Sequence, residues 1–149
     1  MRHTAFLAAL LMTACGPTQV NTPRANLAVE ESWYEEAVQQ LIQLNREAEA
    51  LLRGGKTEQT AALITKGQPL MTRLLSVQRP TLAAVEASSD LDELYGRMLL
   101  SNRHYGWARL LFQKNLARWT NWRPQTAETA RRREIAKGHI AECDRLMVN

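Results

Sequence analysis

Apolar residues recur at three- and four-residue steps along much of the chain. Tyr34, Val38, Leu41, Leu44, Ala48, Leu51 and Leu52 form one such stripe, as expected of an amphipathic helix with a buried face. Glu30, Glu31, Glu35 and Glu36 crowd its first turns, where carboxylates favour the positive end of the helix dipole. Gly54-Gly55 should end it, because glycine takes the left-handed conformation that closes helices. A second stripe, Ala61, Ile64, Met71 and Leu75, begins from Thr57. Gly67 and Pro69 are expected to interrupt it, since Pro69 cannot donate to the Thr65 carbonyl. Arg79-Pro80 reads as a helix start, with 81–87 a short helix or the lead-in to the next. Asp90 and Glu93 suggest a capping pair for a helix to Asn102. Further helices are predicted from Tyr105 to Trp119 and, after the break NWRPQT, from a cap at or near Thr126 through Met147.

No alternating β-branched run competes with these stripes. The predicted fold is therefore all-α, an irregular antiparallel bundle of five or six helices.

Within it, helices 90–102 and 105–119 carry the spacing of a helical hairpin. Gly96 and, 12 residues later, Ala108 are small where two helices would cross; Leu99 and Phe112 are large where a gap would need filling, and Tyr105 fits the turn. These residues resemble a single tetratricopeptide repeat. Asp92, Tyr95 and Thr120 depart from its usual tryptophan, leucine and closing proline, and Pro124 arrives four residues late. Aligning Ala61 with Ala108 puts Glu49 opposite Gly96, so no second copy is evident. The resemblance implies that Gly96 and Ala108 face each other across a tight crossing. It also implies that Glu93, Arg97, Leu100 and Ser101 line the concave side of the first helix.

The start of the chain has a different character. Arg2 and His3 precede an apolar run from Ala5 to Met12, far short of the roughly 20 residues that span a bilayer. That length suits a signal-peptide core. The run ends in Met12-Thr13-Ala14-Cys15, which resembles the lipobox of bacterial lipoproteins, with Met12 in place of the usual leucine. The resemblance implies cleavage after Ala14, a diacylglycerol thioether on Cys15 and acylation of the new amino terminus. Residues 1–14 are then a cleaved signal, 15–25 a lipidated tether containing GPTQVNTPR, and 26–149 the helical domain. Gly16, where an Asp would signal inner-membrane retention in many enteric-type envelopes, favours an outer membrane facing the periplasm, if the cell has one.

Charge adds little. Without Arg2 the chain keeps 18 Lys+Arg against 15 Asp+Glu, a net charge of +3. The half from Arg79 onward has 12 basic and eight acidic residues, much weaker than a nucleic-acid footprint. Of the two cysteines, lipidation consumes Cys15, leaving Cys143 as a small apolar helix residue or an unpaired thiol.

Candidate chemistry is sparse. No HExxH, CxxC, phosphate-binding glycine loop or GxSxG occurs. His139 and Cys143 are four apart on one helix, which is half of a metal site at most. No cofactor, metal, small-molecule substrate or enzymatic activity is inferred. The stretch LARWTNWRP is richer in binding residue types: Arg118, Trp119, Trp122 and Arg123 concentrate the types that anchor protein interfaces, the alternative being that one or both indoles cover the core under the loop. ARRRE, around Arg131–Arg133, reads as a solvated helix face or as an attraction to anionic lipid.

The sequence thus points to a lipid-anchored envelope module that binds or scaffolds another envelope protein. A small periplasmic enzyme or ligand-binding helical protein is the alternative, as is a spacer without a specific partner. Intact-mass analysis of membrane-extracted protein is expected to show residues 1–14 missing and lipid mass on Cys15. Soluble protein cleaved at that point with an unmodified Cys15 contradicts the anchor.

Overall fold

A computed structural model describes residues 31–148. The expected signal peptide, Cys15 and the expected tether lie outside the described residues. Among the described residues there are five helices and no strand: α1 Ser32–Arg53, α2 Thr57–Leu75, α3 Leu82–Ser101, α4 Tyr105–Asn121 and α5 Ala127–Val148. The fold is an all-α bundle. None of these helices is long and apolar enough to cross a membrane.

Short connections make successive helices neighbours, and α1 also packs on α3. The α1 stripe is buried as its spacing requires, with Tyr34, Val38, Leu41 and Ala48 in the core. Gly55, at φ 69°, closes α1 with Gly55 N–H donating to Leu52 C=O and Lys56 N–H to Leu51 C=O. The same pair of bonds closes α3, from Arg103 to Leu100 and from His104 to Leu99, although Arg103 is not glycine and sits at φ 62°. The cap of α5 is reciprocal: Thr126 and Thr129 each accept the other's backbone N–H on their hydroxyls, at 3.2 and 2.8 Å.

Two expected breaks are absent. α2 runs through Gly67 and Pro69 without splitting. Pro69 and Thr65 are exposed, so the carbonyl that Pro69 leaves unpaired faces water. Gly67 is buried for a different reason: a Cβ there would lie 3.1 Å from Leu91 and 3.3 Å from Leu41, so its bare backbone lets α2 approach both neighbours. The helix expected from Asp90 begins eight residues earlier, at Leu82. Thr81 is its cap, accepting Ala84 N–H at 3.3 Å while its own N–H donates to the Tyr34 hydroxyl at 3.1 Å. Asp90, Asp92 and Glu93 therefore stand within about one turn in the interior of α3 and do not cap it.

Two apolar clusters hold the bundle. The larger joins α1, α2 and α3 through Tyr34, Val38, Leu41, Ile64, Leu74 and Leu91. The smaller lies between α3, α4 and α5, where Ala108, Phe112 and Cys143 pack with Leu99, Leu100 and Ile140. Burial raises the Cys143 thiol above its ordinary pKa, consistent with an inert apolar role. Gly96 and Ala108 both sit in tight places, but the nearest neighbour of Gly96 is Phe112: a Cβ would lie 2.6 Å from its ring. Phe112 is fully buried and stacked on His139, with ring centroids 4.5 Å apart, so it has nowhere to retreat.

This contrast can be measured. Helix interiors prefer Ala over Gly by about 0.8–1.0 kcal/mol, whereas overpacking costs about 1–3 kcal/mol. Gly138, on α5, has open space where a Cβ would go. In urea unfolding, Gly138→Ala should stabilise the domain by about 0.5–1 kcal/mol and Gly96→Ala should destabilise it by about 1–2 kcal/mol. Equal responses at the two positions contradict the Gly96–Phe112 contact.

Candidate functional site

Two helical stripes face each other across a groove between α1 and α3. Ile42, Asn45, Arg46, Glu49 and Arg53 follow three- and four-residue steps on α1. Ala83, Glu86, Ala87, Asp90, Glu93, Leu94 and Arg97 do the same on α3. The groove contains two adjoining hollows of about 300 and 270 Å³, which share Asn45, Arg46 and Asp90. From Ala83 to Arg97 it runs about 21 Å at 1.5 Å per helical residue.

Its walls are charged and cross-linked. Arg97 bonds Glu49, which also meets Arg53 at 3.5 Å. From α5, Arg132 reaches Asp90 at 2.6 Å and Glu128 at 2.8 Å. Burial raises the Asp90 carboxyl above its ordinary pKa, against the pull of Arg132. The His139 imidazole, 3.9 Å from Glu93, holds that carboxyl below the usual carboxylate range.

Asn45 forms the floor. It is 7% exposed, and its Nδ2 donates to the Ala87 carbonyl at 2.8 Å. Its Oδ1 has no hydrogen-bond partner. A buried carbonyl oxygen without a donor costs about 1–3 kcal/mol, a cost that a ligand N–H reaching it from the groove would recover. Beside it, Arg46 is exposed and offers a cation to the same hollow.

The structure brings together only part of the site predicted from sequence. Glu93 and Arg97 line the groove. Leu100 instead packs on the Ala108–Phe112–Cys143 cluster, and Ser101 is exposed, its hydroxyl donating to the Arg97 carbonyl at 3.0 Å. Trp119 is not a surface residue. It is 1% exposed, its indole N–H donates to Ser89 Oγ at 2.8 Å, and the Arg132 guanidinium lies 5.1 Å over its ring. Arg118 is committed to the interior as well, bonding Asp92 at 2.8 Å and also Asn115. Trp122 is half-buried at the end of α4; Arg123 is exposed and donates to the Thr120 and Trp122 carbonyls at 2.8 and 2.7 Å. The Trp/Arg stretch thus divides between core and helix cap.

Asn45, Arg46, Glu49, Asp90 and Arg132 escaped the sequence reading. Their signal was the polar side of two amphipathic helices, which looks the same whether it faces water or another helix. Among Arg131–Arg133 the expected solvated face holds for Arg131, paired with Glu128, while Arg132 turns inward to Asp90 and Trp119. Among the described residues no group of three or more His, Cys, Asp or Glu is placed to hold a metal ion.

Comparison with known proteins yields no match to a family model, a curated protein or a solved structure.

Asp92 is 3% exposed, and Arg118 and Lys114 are its two cations, at 2.8 and 3.0 Å. Removing one partner of a buried pair costs about 3–5 kcal/mol, whereas a solvated pair contributes about 0–1 kcal/mol. Arg118→Met is therefore expected to lower stability by about 3 kcal/mol, since Lys114 remains. Lys114→Met, at the half-exposed partner, should cost less than about 1 kcal/mol. Chemical denaturation of both variants checks this. A neutral Arg118→Met would mean that Arg118 is a surface residue.

Proposed function

We propose that this chain is a lipid-anchored envelope protein whose helical domain docks an extended segment of another envelope protein in the α1–α3 groove. The observation that carries the reading is the unpartnered Asn45 Oδ1 on the groove floor, beside exposed Arg46. An extended peptide offers backbone N–H groups to Asn45 and an acidic side chain to Arg46. A length of about 21 Å accommodates some six residues of extended chain at 3.3 Å each.

Two further features support docking. Salt bridges fix most of the groove's charged side chains before any partner arrives, which lowers the ordering cost of binding. The tetratricopeptide-like spacing of α3 and α4 fits a hairpin that presents its first helix to a ligand. The lipobox-like Met12–Cys15 supports a membrane anchor, and Gly16 favours the outer membrane.

Photo-crosslinking in intact cells tests the proposal. A crosslinker replacing Glu49 or Arg46 should capture one reproducible envelope protein, and one replacing exposed Lys66 on α2 should not. With the crosslinker at Glu49, Arg46→Glu should lower the yield several-fold without changing the thermal midpoint, because Arg46 is exposed. Equal capture from α2 and the groove, or capture unaffected by Arg46→Glu, contradicts docking there.

A further inference from the structure

The outer face of α4 has a composition that neither the core nor the groove uses. Trp107 is 68% exposed and Leu110 54% exposed. With Lys114 they follow i, i+3, i+7 spacing, so the three share one side of the helix. Arg103 lies exposed in the preceding turn, four residues before Trp107.

The surrounding charge is one-sided. Between Glu93 and Glu128 the chain has no carboxylate side chain, yet it holds Arg97, Arg103, Arg109, Lys114, Arg118 and Arg123. Carboxylates from other helices meet several of these: Glu49 takes Arg97, Asp144 takes Arg109, and Asp92 takes Lys114 and Arg118. Among the described residues Arg103 has no such pairing, and α4 itself contains no carboxylate side chain.

We infer that this face of α4 rests on an anionic lipid surface, with Trp107 and Leu110 at the headgroup level and Arg103 toward the phosphates. The inference rests on the anchored reading of Cys15. An indole favours the membrane–water boundary because one part of it is apolar and its N–H is polar. Each Lys or Arg near an anionic surface contributes about 1 kcal/mol. The chain between Cys15 and Glu31 can span at most about 58 Å when extended, and α1 is about 33 Å long. A domain attached at Ser32 can therefore lay any side on the bilayer that holds its lipid. Tethering at this length sets an effective concentration in the millimolar range, so a patch of two apolar side chains and one cation is enough to dock. Lipid is favoured over a protein partner because the exposed apolar residues lie along one helix, with Arg103 as the cation beside them.

The test uses the mature lipidated protein in phosphatidylcholine vesicles with brominated acyl chains, with and without phosphatidylglycerol. Tryptophan fluorescence should be quenched more when phosphatidylglycerol is present. Trp107→Phe should remove most of that difference. Leu110→Glu should abolish it, and Arg103→Gln should shift the docked-to-undocked ratio about fivefold. Circular dichroism should be unchanged in all three, since the side chains are exposed. Quenching that ignores phosphatidylglycerol, or that survives Trp107→Phe, overturns the inference. So does shielding of Trp107 from aqueous acrylamide only when a co-extracted protein is present. Flotation in high salt reports the anchor separately. If the protein does not float, the anchor reading fails, and quenching of the soluble chain by added vesicles then decides the face: quenching sustains it and none overturns it.

Discussion

Asp92 is buried on α3, in a seam where three helices meet, and the arrangement of the other helices follows from how its carboxyl group is partnered. Arg118 and Lys114 reach it from α4. Around the pair, Asn115 donates to the Ser89 carbonyl at 2.9 Å, and the Trp119 indole donates to the Ser89 hydroxyl. Arg132 then spans from the Trp119 ring to Asp90, bringing in α5. Apolar packing is non-directional and would tolerate several rotations of α4 against α3. Buried hydrogen bonds to fixed partners do not, because any slip leaves a charge or an amide unpaired.

The seam has a consequence on the opposite side of α3. Residues that bond inward, Ser88, Ser89 and Asp92, alternate along the helix with Asp90, Glu93, Leu94 and Arg97, which face α1. Fixing one set fixes the other. The groove is thereby held open by the α1–α2–α3 apolar cluster on one flank and the polar seam on the other. The outer face of α4 is left to solvent by the same geometry, which is why Trp107 and Leu110 stay outside both clusters. A docking groove and a membrane-resting face on different sides of one domain are compatible: an anchored protein that lies on α4 keeps its groove clear of the lipid.

Local rules made much of this fold legible. The Tyr34–Ala48 stripe, the Gly54-Gly55 stop and the Thr126 cap depend on residues close in sequence, and the structure places all three as expected. The beginning of α3 was not legible, because Asp90 and Glu93 have the spacing of a capping pair and suggest a start there. In the folded chain Ser88 bonds the Ala84 carbonyl at 2.7 Å and Ser89 accepts Trp119, both within an unbroken helix. Pro69 looked like a break because its cost depends on whether the orphaned carbonyl can reach water, a tertiary fact. The same limit explains the site. Trp119 and Arg118 are interface residue types, but their partners, Ser89 and Asp92, are 30 and 26 positions away. Asn45 became notable only once its oxygen was seen to lack a donor.

The central claim is that Asp92 and Arg118 act as a pair that sets α4 against α3. A double-mutant cycle with Asp92→Asn and Arg118→Gln measures this without relying on either single change. A coupling free energy of about 2–3 kcal/mol is expected, the upper range for residues in one buried network. A value below about 0.5 kcal/mol, as found for independent sites, would show that the two side chains do not work together and that the seam does not hold the helices.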